Sequence, residues 1–148
     1  VWIDLSKGLG CPVGAVMAGS TAFIEDAWIW KQRLGGSMRQ SGVLAAAGLY
    51  ALDNNVERLA DDHANARRFA ELATEIPGIA VDAASVETNI VFLDVSAVGI
   101  SAPEISERLA ARSVRIGAMG PDSIRAVTHL DVDRAGVEKA AEALRAVL

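Results

Sequence analysis

The chain has 148 residues, enough for a usable core, and 51% of them are hydrophobic against 22% charged. Acids outnumber bases 19 to 14, giving a formal net charge of -5, which argues against nucleic-acid and membrane-surface roles, since those need clustered Lys and Arg. A mean hydropathy of +0.28 points to surface buried against another chain. Nothing reads as a signal peptide or as an apolar run of membrane-spanning length. The lone Cys11 permits no internal disulfide, so a cytoplasmic setting is expected and the thiol is read as a small buried filler. The chain opens at Val1, within a strand pattern and without an initiator Met, and is expected to be part of a longer protein.

VWID at 1–4 reads as a short buried strand, and GAVMAG at 14–19 as a second one after the Gly-Pro break. Spanning both is DLSKGLGCPVGAVMAG, residues 4–19, which sets a single cation, Lys7, ahead of four glycines. A phosphate-binding P-loop carries its lysine after the glycines, so that reading fails. A dinucleotide fingerprint needs G-x-G-x-x-G opening a helix; here the spacing from Gly8 to Gly14 is one residue too long and a strand follows. On local grounds two readings of Lys7 stay open. It is an ordinary surface lysine in a Gly-rich turn, or an amine in a crowded, dry pocket that forms a Schiff base, with glycine beside it leaving room for a flat ring.

From 21 to 34, Phe23, Ile24, Ala27, Trp28 and Leu34 recur at helical spacing, with Ser20 or Thr21 to cap the start and Gly35-Gly36 to stop it. Trp28 and Trp30 cannot share one helix face, so one of them is expected to meet another subunit. A second helix over 40–53 is small and apolar nearly all round, which implies burial or close packing against a neighbouring chain. A third, over 56–75, ends at IPG. It carries His63, read as half-exposed, and the pairs Asp61-Asp62 and Arg67-Arg68, read as a solvated face.

Beyond Pro77-Gly78, IAVD (79–82) and NIVFLDV (89–95) read as strands and PEISERLAAR (103–112) as a helix behind a Ser101 cap. VRIGA (114–118) and IRAVTHL (124–130) follow as strands, and a last helix runs over 134–147 with Asp131 and Asp133 as capping acids. This order predicts a small α/β domain with helices over one face of its sheet. The domain boundary is expected at 76/77, with the third helix as connector. Arg125 sits on a strand, a rigid element, where an ion pair with Asp122 is the local reading. His129, four residues on, falls on the same face of such a strand and is a candidate to support Arg125, with structural packing the alternative.

Taken together, SKGLGCPVGAVMAG, LGGSMRQSGVLAAAGLYAL, ETNIVFLDV and IRAVTHLDV resemble, in that order, the C-terminal part of the low-specificity L-threonine aldolases. These are pyridoxal-phosphate enzymes of the aspartate-aminotransferase-like fold, or fold type I. The resemblance implies that residues 1–76 are the end of a large cofactor-binding domain and 77–148 a small α/β domain with an antiparallel-rich sheet. It implies that Lys7 holds pyridoxal 5'-phosphate as a Schiff base, that Ser6 beside it contacts the cofactor, and that Arg39 helps bind the phosphate across a subunit interface. Arg125 matches the arginine that holds the substrate carboxylate, and no metal is implied. Two departures stand out: Ser37 replaces a usual third glycine, and Gln32 stands where many relatives have a basic residue, leaving more of the phosphate to Arg39.

The implied reaction cleaves L-threonine, L-allo-threonine and similar β-hydroxy-α-amino acids to glycine and an aldehyde. The same resemblance implies a homo-oligomer, dimer or tetramer. It also implies a missing N-terminal portion or complementary chain that supplies the phosphate loop, the residue stacked on the ring and the acid facing the pyridinium nitrogen; this stretch alone is expected to be inactive. Transamination, racemisation or β-elimination on the same fold, and a non-catalytic oligomerisation fragment, are the alternatives.

Overall fold

In the computed structural model, which describes all of residues 1–148, the first strand, β1 (Trp2–Asp4), pairs antiparallel with β2 (Ala15–Met17). Ser20 then caps α1 (Thr21–Arg33), its hydroxyl accepting from the Phe23 N–H at 3.3 Å, as its side-chain type favours. Lys31 lies over the Trp28 ring and Arg33 over that of Trp30, so each of these exposed indoles carries a cation. After Gly35, held at φ +74, the chain enters α2 (Gly42–Asn54). Within the chain α2 buries only Gly48 and Ala51, leaving Val43 80% exposed along with Leu49 and Tyr50. Most of its apolar surface thus faces outward, and only the side carrying Gly48 and Ala51 is used in this chain's own packing.

The packing divides the chain into two units, Val1–Leu59 and Ala60–Leu148. The division falls at the start of α3 (Leu59–Thr74), the helix expected to connect two domains, because its inward face belongs to the second core. That face repeats at helical spacing through Asp62, Asn65, Ala66, Phe69, Ala70 and Ala73. Asp62 is therefore not part of a solvated stripe; it is 0% exposed.

A three-stranded sheet and two helices complete the second core. The sheet runs β3 (Ile90–Asp94), β5 (Ser123–Val127), β4 (Gly117–Ala118), all antiparallel, with β5 in the centre. Helices α4 (Ala102–Ala110) and α5 (Arg134–Val147) start at Ser101, which accepts from the Glu104 N–H, and Asp133, which accepts from the Gly136 N–H at 2.7 Å. Val91, Leu93 and Ile124 from one face of the sheet meet Phe69 of α3, Ile105 and Leu109 of α4, and Val137 and Leu144 of α5. The other face carries Ile90, Phe92, Arg125 and Val127, all exposed. No helix is long and apolar enough to cross a membrane.

Several expected strands shrink. IAVD contributes only a bridge between Ala80 and Asp94, because the Asp82 carboxylate accepts from the Ala84 N–H at 3.1 Å and draws the backbone into a short 3₁₀ turn. VRIGA pairs only at Gly117 and Ala118. β5 stops at Val127, and the chain then turns where the Val132 N–H donates to the His129 carbonyl at 2.9 Å. Asp131 does not cap α5; it lies against His129, 3.7 Å from Nδ1.

Because Ile124 is wholly buried at the centre of the sheet, Ile124→Ala should cost about 2–5 kcal/mol in urea denaturation of the purified protein. Phe92→Ala, on the open face of the same sheet, should cost much less.

Candidate functional site

The loop from 5 to 14 shows how Lys7 is held. The Leu5 N–H donates to the Gly14 carbonyl at 3.0 Å, the Cys11 N–H to the Leu5 carbonyl at 2.9 Å and the Gly10 N–H to the Lys7 carbonyl at 2.9 Å. Closing so tight a loop puts Gly10 at φ +75 and Gly14 at φ +122, conformations that glycine tolerates. Leu5, Leu9 and Cys11 point inward and form a small buried cluster with Ala51 of α2, against which Leu59 packs. Polar ties complete the clamp: the Asn55 side-chain amide donates to the Leu9 carbonyl at 2.8 Å, and the Cys11 Sγ to the Ala47 carbonyl at 3.5 Å. Gly48 makes room for Leu5, whose Cδ1 lies 3.4 Å from where a Cβ would be. With its neighbours anchored from beneath, the Lys7 side chain stands outward and is 75% exposed.

The sequence reading named Asp4 only as the end of a strand, yet its carboxylate organises this bend. Oδ1 accepts from the Ser6 hydroxyl at 3.0 Å and from the Ser6 N–H at 3.3 Å, and the Lys7 Nζ lies 3.9 Å from Oδ2. An acid two residues before a serine is the pattern of a side-chain-closed turn, and that signal was available in DLS. The Ser6 hydroxyl and then its N–H hold the Asp4 carboxyl below its ordinary value, Lys7 adding a smaller pull and desolvation opposing them. Between groups this exposed and this far apart, the Lys7–Asp4 ion pair is weak and leaves the amine available.

Arg39 lies in the same unit, exposed, two residues before Ser41 at the head of α2. The residue after it, Gln40, is held at φ +50, a left-handed conformation uncommon for a side-chain-bearing residue and a local strain next to a candidate phosphate ligand. Arg125 belongs to the second unit, on the open face of β5, directly opposite Phe92. It forms no ion pair with Asp122, and its guanidinium has no partner in the chain. His129 follows β5, its Nδ1 accepting from the Asp131 N–H at 3.3 Å, so its ring serves the turn. The structure thus brings Asp4, Ser6 and Lys7 together on one bend, and sets Arg125 on a rigid strand of the other unit. Groups of His, Cys, Asp and Glu that could hold a metal ion are absent.

Residues 1–96 match the beta-eliminating lyase family. The chain belongs to that family. Within it, the chain is 44% identical over 146 residues to the low-specificity L-threonine aldolase of Escherichia coli, covering 99% of this chain and 42% of that protein. It is 40% identical over 138 residues to the low-specificity L-threonine aldolase 1 of Arabidopsis thaliana, covering 93% of this chain and 38% of that one. The resemblance drawn from the four motifs is borne out. The chain of this lyase-family member spans less than half the length of the curated relatives it matches. Among solved structures, a candidate L-allo-threonine aldolase from Listeria monocytogenes superimposes with a TM-score of 0.73 at 21% identity, over 99% of this chain and 44% of that one. The expected α/β fold, shared with fold-type-I structures, is likewise borne out.

Folding lowers the Asp4 pKa, so what its bend contributes is present above the ordinary carboxylate value and is lost as the pH falls through the lowered one. Followed by NMR, the Ser6 amide should titrate with a midpoint below that ordinary value. Asp4→Asn should abolish the transition.

Proposed function

We propose that this chain is the lysine-bearing part of a pyridoxal-phosphate-dependent aldolase that cleaves L-threonine, L-allo-threonine and similar β-hydroxy-α-amino acids to glycine and an aldehyde. One observation carries the reading: an outward lysine on a bend clamped from beneath, in a chain 44% identical to an enzyme named a threonine aldolase. The residues present fit the cofactor by their chemistry. Lys7 offers an amine for its aldehyde, Ser6 a hydroxyl beside that amine, and Arg39 a guanidinium with no ion pair of its own for the phosphate. When bound, pyridoxal phosphate supplies an electron sink for the charge left on Cα as the Cα–Cβ bond breaks.

The chain's own residues bind and orient. Arg125 takes the substrate carboxylate on both oxygens, and a carboxylate held at two points fixes the direction of the Cα–Cβ bond. Asp4 closes the bend through Ser6, which keeps the Lys7 backbone in one place while its long side chain stays exposed. Residues 1–76 are read as the end of a large cofactor-binding domain and 77–148 as a small C-terminal domain, α3 counting with the first in sequence although its apolar face is buried in the second core. The rest of the cofactor's surroundings comes from a further N-terminal portion or a complementary chain, in keeping with the share of the relatives' length matched. Trp2, Ile3, Val16, Met17, Leu49 and Tyr50, all exposed in the first unit, are read as contact surface in a cytoplasmic homo-oligomer, a dimer or tetramer. Aldol cleavage is preferred to transamination, racemisation or β-elimination because the relatives at 40% identity or more over nearly the whole chain are named for it, whereas one named an alanine racemase matches a similar span at 33%.

Borohydride reduction of the complete, cofactor-loaded enzyme should leave the pyridoxyl group on the Lys7 peptide, and Lys7→Ala should abolish it. Recovery at Lys31 or Lys139 would sink the assignment. Arg125→Lys should keep the cofactor's visible absorbance while glycine binding weakens by about 1.5–3 kcal/mol, roughly 10- to 150-fold, because a point charge replaces a two-pronged donor. Unchanged glycine affinity would remove Arg125 from the site.

A further inference from the structure

Arg125 has one neighbour on each side across the sheet, Phe92 on β3 and Gly117 on β4. Directly opposed residues of antiparallel strands share a face, so these positions form one row on the open side of the sheet. The row reads aromatic ring, guanidinium, nothing. Phe92, 58% exposed, puts a ring on one flank. On the other flank β4 is the edge strand, and Gly117 offers no side chain at all.

No backbone requirement explains that glycine. Gly117 is outside the left-handed region. A Cβ built on it meets nothing nearer than the Arg125 carbonyl oxygen at 4.0 Å, an ordinary contact. Alanine would therefore fit the fold, and would strengthen a strand that glycine weakens. Glycine in a strand without a turn, bulge or tight neighbour marks a place where something else approaches closely. The group beside it is an arginine with no partner in the chain.

We propose that Gly117 is a specificity-determining position, the empty place through which the carboxylate of a small α-amino acid reaches the Arg125 guanidinium. This rests on the reading of Arg125 as the carboxylate holder and deepens it. Phe92 closes one side of the fork, so both carboxylate oxygens enter from the Gly117 side, in the plane that allows two parallel N–H···O bonds. A side chain at 117 would occupy that plane.

The test compares Gly117→Ala, Gly117→Val, Arg125→Lys and the double variant Gly117→Val with Arg125→Lys in the complete, cofactor-loaded enzyme, with glycine as the probe and calorimetric titration as the readout. Gly117→Val should weaken glycine about 10-fold or more, the worth of one charge-assisted hydrogen bond. Gly117→Ala should move affinity the same way by less, with thermal unfolding and cofactor absorbance unchanged in both; should the valine variant fail to fold, the alanine variant decides. Against Arg125→Lys the valine should add little, because the fork it obstructs is already gone. Full additivity, or unchanged affinity in the Gly117 variants while Arg125→Lys loses it, would overturn the role of Gly117 and leave Arg125 in place. Unchanged affinity in the Arg125 variant as well would overturn both readings.

Discussion

A strand turns successive side chains to opposite faces, and in β5 this one constraint joins the core to the candidate site. Ile124 points into the packed side, wholly buried, and Arg125 must then point out of it. A slip of one residue would put the guanidinium among Val91, Leu93 and Ile105 and bring Ile124 to the surface, at the cost of an unpaired buried charge. The register is pinned beyond the strand's end. The Thr128 hydroxyl donates to the Asp62 carbonyl at 2.6 Å, and the Asn89 side-chain amide donates to the Thr128 carbonyl at 2.7 Å. These buried polar contacts hold β5 at a depth where a shift would leave several groups unsatisfied at once.

Lys7 is placed by a different device. A two-stranded ribbon with exposed faces gives little rigidity on its own. Precision comes instead from a loop folded back on itself and anchored by Leu5, Leu9 and Cys11 on α2, with Asp4 tying the bend at its entrance. Apolar anchors below and an exposed cation above suit the Schiff-base role proposed for Lys7, whereas the carboxylate clamp proposed for Arg125 gains from a fixed strand.

Much of the fold was legible because its signals are local. Ser20, Ser101 and Asp133 cap helices where they stand in the sequence, since a cap needs only residues within one turn. The helical spacing of α5 likewise reports a buried face from adjacent residues, whereas the unbroken apolar run in NIVFLDV marks a strand without saying which face is buried. Other features resisted. IAVD has strand composition, but Asp82 offers its own backbone a competing hydrogen bond. Asp62 looked solvated beside Asp61, yet helical geometry turns it inward.

The sequence by itself determined the element order, the caps, the Gly-rich bend around Lys7 and the four motifs that mark the family, because each lies in a continuous stretch of chain. It also named Lys7, Ser6, Arg39 and Arg125 as candidates through resemblance. Only the tertiary structure decided which residues meet. The seating of Leu9 on Asn55 and Ala51, the burial of Asp62 beneath Thr128, and the row of Phe92, Arg125 and Gly117 each join segments far apart along the chain. Strand order and register arise from packing the whole core at once, and no pattern confined to neighbouring residues specifies them.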